Sequence, residues 1–244
     1  MMVDPESALP LYAQVKDILG RQIRGGTYQA HQALPAERDL VDRFGVSRIT
    51  VRRALAELVG EGLLYRRVGR GTFVAAEPIV GTLTELTGHL EELIRRNLHP
   101  EVRLVESAQI PTPVEAAVEL GGSREVLFVR RVVSVEGAPL LVLDICVPAD
   151  LGMRFAPQAL TVEPINRLLE AQGFHPVSGE QRIRARAVEE TEALLLEVEP
   201  GTPVLEVTRT ERTIGERGLL WSRAVYRGDR YQYVIRLHRR RSLA

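Results

Sequence analysis

Ser47, Arg48, Thr50 and Arg52 gather hydrogen-bond donors at the start of one predicted helix. Ser47 is a favoured N-cap type, and Arg52 lies one turn beyond Arg48 on the same face. A guanidinium at either position can hold guanine O6 and N7 with two hydrogen bonds. The two hydroxyls and the first-turn N–H groups suit phosphate oxygens. Arg70 stands between Gly69 and Gly71, a cation on a turn with little side-chain bulk, able to enter a minor groove. Elsewhere Arg131 interrupts an apolar strand-like run, and paired N–H donors of this kind favour carboxylates and phosphates. Asp144 interrupts a second such run, either as a polar group of a pocket or as an ion-pair partner for an arginine. Cys146, the only cysteine, reads as a core filler.

Composition narrows the function. At 244 residues the chain suggests two domains. A single cysteine excludes a disulfide framework, and His31, His89, His99, His175 and His238 show no ligand spacing, so no metal site is expected. Lys16 is the only lysine. No lysine beyond the first helix can form a Schiff base, which excludes pyridoxal-phosphate chemistry. No catalytic residue and no cofactor is expected. The start has no basic, apolar leader, and the run Leu140–Val147 is too short to span a bilayer. A reducing cytoplasm fits this composition. Zero net charge hides an asymmetry: up to Ala76, eleven Lys/Arg oppose eight Asp/Glu, while the remainder holds 21 against 24. Only the first part is suited to face a polyanion.

Three helices are predicted first. One starts at Pro10 and repeats Leu11, Val15, Leu19 and Ile23; one starts at Pro35 and closes at Gly45; one runs from Ser47 to about Gly60. Leu63–Arg67 and Thr72–Val74 then flank the glycine-tipped turn as a hairpin, giving a winged helix-turn-helix over residues 1–75. Residues 76–82 read as a linker and 83–244 as a second domain. There, helices are predicted at Leu83–Asn97, Pro113–Leu120, Thr161–Gln172 and Glu189–Val198. Strands are predicted at Val102–Ile110, Val126–Val135, Leu140–Val147, Val177–Val188, Val204–Thr213, Leu219–Arg227 and Tyr231–His238. The class is α+β with a mostly antiparallel sheet flanked by helices. Glu115–Arg131 finds a loose echo in Glu192–Arg209, which aligns Arg131 with Arg209. A true duplication would make the seam between halves the natural pocket.

The stretches Leu34–Arg38, Phe44–Arg52, Glu61–Leu64 and Gly69–Val74 closely resemble the GntR family of regulators. The resemblance implies a DNA-binding head, with Arg38 on the preceding helix as a further contact. Arg53, Arg66 and Arg67 are better read as a solvated face.

Beyond the linker, Leu83-Thr84 with Leu90, Gly137-Ala138-Pro139, Val147-Pro148 and Tyr226–Tyr231 resemble the HutC subfamily. That subfamily's UTRA-type effector domain is similar in fold to chorismate lyase. By this resemblance Thr82, Thr84, Arg131 and Tyr226 line an effector pocket. Many members carry a second arginine two residues after the first; here Val133 stands there, and Arg130, Arg184 or Arg209 could compensate. Arg182, Arg184 and Arg186 alternate on one strand face, best read as solvent-exposed. The expected protein is a homodimeric repressor of double-stranded operator DNA, released by a small anionic effector, possible classes being phosphates, phosphonates, sugar phosphates and aromatic carboxylates. Two alternatives stand beside it. One is a chorismate-lyase-like enzyme with a DNA-binding head; the other is a ligand-independent DNA binder.

Overall fold

The computed structural model describes residues 3–5, 7–67, 69–75, 79–81 and 86–235. The chain divides into two compact units, Met1–Pro78 with Glu197–Thr202, and Ile79–Leu196 with Pro203–Ala244.

In the first unit α1 (Leu11–Arg24), α2 (Glu37–Phe44) and α3 (Arg48–Gly60) precede a hairpin of β1 (Leu64–Arg67) and β2 (Gly71–Val74). Val15, Leu19, Leu40, Val51, Leu55 and Leu58 close its core at essentially no exposure, so each helix buries one stripe and leaves its charged face free. Between the strands Gly69 has φ +70° and Gly71 φ +112°. L side chains rarely adopt these values, so glycine is what lets the tip turn so tightly around Arg70.

The second unit begins with β3 (Ile79–Gly81), inside the stretch expected to be a linker. There follow α4 (His89–Arg95), β4 (Glu101–Pro111), α5 (Val114–Ala117), β5 (Glu125–Val135), β6 (Ala138–Pro148), α6 (Ala149–Gly152), a 3-10 turn (Ala159–Thr161) and α7 (Ile165–Glu170). The chain continues through β7 (Ser178–Ala187), α8 (Glu190–Leu196), β8 (Pro203–Arg212), β9 (Gly218–Arg227) and β10 (Tyr231–Tyr233). Six strands form one antiparallel sheet in the order β4-β5-β6-β9-β8-β7. The architecture is α+β, as the pattern of elements predicts. β10 departs from expectation: it is shorter and pairs in parallel with β3, outside the main sheet.

The sheet order is symmetric about its centre. β4-α5-β5-β6 and β7-α8-β8-β9 have the same plan, and β6 meets β9 where Asp144 opposes Arg223. One face carries the main core, with Val129, Val133, Leu143 and Tyr226 of the sheet packed with Leu90 and Leu93 of α4, Leu151 of α6 and Ile165 and Leu169 of α7. The other face carries a smaller cluster in which Ala116 of α5 packs with Leu120, Val126, Cys146 and Trp221. The α-helices that cover the first face therefore leave a partly open surface on the second.

Candidate functional site

Among the described residues, the expected site residues fall mainly in two places. The first is the N-terminus of α3. Ser47 caps it, its Oγ accepting from the Thr50 backbone N–H at 3.2 Å and lying 2.8 Å from Thr50 Oγ1. This cap fixes the helix start and turns Arg48 and Arg52 outward. Arg48 Nε lies 3.3 Å and Arg52 Nε 3.9 Å from Glu37 of α2, so one carboxylate serves both cations. With side chains 77% and 61% exposed, these pairs hold the arginines only loosely, each contributing about 0–1 kcal/mol. Arg38 is exposed on α2, and Arg70 is exposed at the hairpin tip with Gly69 and Gly71. The sequence reading passed over Ile49, which is 80% exposed beside Arg48. An apolar side chain held in water at a helix N-terminus is of the kind that packs on a thymine methyl group. Arg53 behaves differently. Its guanidinium lies 3.7 Å from the centre of the Tyr12 ring and pairs with Glu57 of the same helix at 3.8 Å. Arg66 and Arg67 pair with Glu199 and Glu197 at 3.6 and 2.9 Å within the same unit.

The second place is the helix-covered face of the sheet. Arg131 is 1% exposed, donates from NH1 to the Glu163 carbonyl at 2.9 Å, and is without partners for Nε and NH2 among the described residues. Burial alone lowers its pKa to about 10. It borders a small cavity of about 20 Å³ with His89, Asn166, Glu211 and Ser222. That is room for roughly one water. Asn166 donates to Glu211 at 2.8 Å, and burial raises the Glu211 pKa against the opposing pull of Arg209. Arg209 lies on the same face, two of its nitrogens donating to Gln181 Oε1 and NH1 donating to the Thr87 carbonyl. Tyr226 stacks on Tyr231 with ring centres 4.0 Å apart, and its hydroxyl lies 2.8 Å from His89 Nδ1. Burial, then Arg209, lowers the His89 pKa well below 6.5, which keeps the ring neutral.

The structure thus gathers Arg131, Arg209 and Tyr226 on one face. Thr82 and Thr84 lie outside the described residues. Asp144 is a correction. Strand alternation sends it to the opposite face from Arg131, where it pairs with Arg130 at 2.6 Å and Arg223 at 2.8 Å. It is the ion-pair partner of two arginines and at the same time lines a cavity on that opposite face. The same alternation removes Arg130 and Arg184 as helpers of Arg131, because both line a cavity on that opposite face. Arg184 and Arg186 are not simply solvated either; they share Glu206 at 2.6 and 2.7 Å. Val133 packs in the core at zero exposure. Cys146 is buried, which pushes its thiol up to about 12. Within Tyr226–Tyr231, Arg230 donates to the carbonyls of Ala138 and Val135 at 2.8 and 3.1 Å, so that part of the motif fastens the β5–β6 hairpin.

Comparison with known proteins fits this division. The model described as "Bacterial regulatory proteins, gntR family" matches residues 11–74, and the UTRA domain model matches residues 95–232. The HTH-type transcriptional repressor NagR of Bacillus subtilis is 33% identical over 96% of this chain and 97% of its own length. A histidine utilization repressor of Pseudomonas putida is 31% identical over 93% of this chain and 92% of its own. Among solved structures, PhnF from Mycobacterium smegmatis superposes with a TM-score of 0.59 at 26% identity, covering 92% of this chain and 99% of that one.

Proposed function

The chain belongs to the GntR family of bacterial transcription regulators, in its HutC group with a UTRA domain, and from that premise we propose that residues 1–75 grip an operator while residues 83–244 bind a small anion that weakens the grip. As a member it is a DNA-binding regulator of the repressor kind and not an enzyme. The α3 N-terminus enters the major groove, where Arg48 and Arg52 exchange Glu37 for guanine edges or phosphates. Ser47 and Thr50 face the backbone, Arg38 adds a contact from α2, and Gly69-Arg70-Gly71 reaches the minor groove.

The observation that carries the effector reading is Arg131, a buried guanidinium with Nε and NH2 unpartnered among the described residues. Leaving such a cation incompletely paired costs several kcal/mol, and an anion entering from outside would offset that cost with two charge-assisted hydrogen bonds. Arg209 and Tyr226 support the same face, and Thr82 and Thr84 complete the proposed lining. Two chains joined through their second domains would set two recognition helices on a near-palindromic operator. The ligand releases DNA only if it prefers the conformation that binds DNA poorly.

The test has two arms. In operator titrations by gel shift, Arg48→Ala or Arg52→Ala costs about 1–3 kcal/mol of specific binding; unchanged affinity would refute the docking. In a thermal-shift screen of phosphorylated and carboxylated metabolites, hits release operator from the parent protein and not from Arg131→Met. Hits that still act on Arg131→Met would refute the site.

A further inference from the structure

The face of the sheet opposite Arg131 has its own cavity, of about 660 Å³, within the usual range for small-molecule sites. It sits at the seam of the two similar halves. Across its floor, hydrogen-bonded neighbours run Arg130, Asp144, Arg223 and Thr208 from β5 through β6 and β9 to β8. Arg130 binds Asp144 through Nε at 2.6 Å and NH2 at 2.9 Å, and Arg223 binds it through NH2 at 2.8 Å. Two guanidiniums share this carboxylate, and Arg223 also lies 3.7 Å from Glu192, so with Arg184 and Arg186 four guanidiniums meet three carboxylates, Asp144, Glu192 and Glu206, an excess of one positive charge. Both arginines keep about a quarter of their side chains exposed, so their remaining N–H groups can be reached.

One row along the strands, the floor changes character. Phe128, Cys146 and Trp221 are direct neighbours on β5, β6 and β9, an apolar strip with an aromatic ring at either end. The Arg130 guanidinium lies 5.5 Å from the centre of the Phe128 ring, so charge and aromatic surface adjoin. A molecule that satisfies both rows is flat and apolar over one part and carries a negative group at its edge.

We infer that this seam cavity is a second small-molecule site, selective for aromatic carboxylates. Its carboxylate meets Arg130 and Arg223 while its ring system lies against Phe128 and Trp221. The site is separate from the one at Arg131: Arg130 and its chain neighbour point to opposite faces of β5, so the two cavities stand back to back across one sheet. Its occupancy does not depend on whether Arg131 takes an anion.

Trp221 is the only tryptophan in the chain, so its emission reports on this cavity alone. The full chain is titrated with 2-naphthoate and, separately, with the uncharged 2-naphthamide. Saturable quenching by naphthoate is expected, with the amide at least about ten-fold weaker, because a hydrogen bond to a charged group is lost. Arg223→Met weakens naphthoate to a similar degree. Arg184→Ala, whose side chain lies 70% exposed at the rim while Arg186 keeps Glu206 paired, weakens it by a few-fold. Arg131→Met leaves it unchanged. Absence of saturable quenching, equal binding of acid and amide, or loss of the response in Arg131→Met would each overturn the assignment. So would a two-chain mass by light scattering together with Trp221 closed to iodide and to naphthoate, since a second copy would then occupy the face.

Discussion

On α3 the guanidiniums of Arg48 and Arg52 stand mostly in water and share Glu37, while on β5 the guanidinium of Arg131 is buried and keeps one hydrogen bond among the described residues. On the proposed function the same group serves two purposes. An exposed arginine costs folding almost nothing, changes partners readily, and contributes to binding a polyanion by displacing its counterions, so its effect fades with salt. A buried arginine penalises the folded chain until a specific anion arrives, and little salt reaches it. The price of selectivity is stability.

Four experiments can break or sharpen that contrast. The largest effect is expected at the other face of the sheet, where charge is buried with partners. Asp144→Ala removes the carboxylate shared by Arg130 and Arg223 and should destabilise the second unit by about 3 kcal/mol, at the low end for buried pairs because both arginines can turn toward water. Urea unfolding measures it, and a change below about 1 kcal/mol would show that the network is solvated. Arg131→Met should act in the opposite sense, stabilising the ligand-free protein by about 1–4 kcal/mol as an incompletely paired cation is replaced by an apolar chain. A lower melting temperature for this variant would remove the contrast altogether.

The third experiment concerns His89, whose folded pKa lies below 6.5. The unfolded chain takes up the proton first, so stability from this group falls as pH drops below 6.5 and levels off once the folded pKa is passed. The slope approaches about 1.4 kcal/mol per pH unit. Glu211, raised by burial, works the other way, favouring the fold at low pH and losing that contribution as pH rises above 4.5. His89→Gln should therefore flatten the acid limb of a melting-temperature profile; an unchanged limb would place the titration elsewhere. The smallest effect belongs to Glu37→Gln, which frees Arg48 and Arg52. Operator affinity at low salt should rise by a few-fold, about 0.3–1 kcal/mol, and the gain should shrink as salt is added. A loss of affinity would mean that Glu37 positions the arginines rather than competing for them.

Much of this is legible in the sequence. Ser47, the glycines flanking Arg70 and the spacing of Leu40, Val51 and Leu58 specify the head through local rules of capping, turn geometry and helical period. In the second unit the strand limits of β4 to β9 follow the sequence reading within about two residues at most ends, because alternation and turn residues are local signals too. The echo of Glu115–Arg131 in Glu192–Arg209 corresponds to α5–β5 and α8–β8. What sequence did not disclose is facing. With a side-chain period of two, a one-residue difference separates Arg130 from Arg131, and nothing in the apolar run around them says which one meets the main core. Asp144 carried two readings for that reason. The parallel pairing of Tyr231–Tyr233 with Ile79–Gly81 was also hidden, since it joins distant segments that share no turn. The helix expected from Leu83 is described only from His89, with 82–85 outside the described residues.

The symmetric sheet also bears on how the chain reaches its native state. The β5–β6 and β8–β9 hairpins close short loops and can form early, whereas β6 and β9 must bring together residues as far apart in sequence as Asp144 and Arg223. Loop-closure entropy has to be met before that central ladder returns any energy. Joining two preformed halves is thus expected to be the slow event in folding, and until it occurs each half exposes a bare strand edge to neighbouring chains.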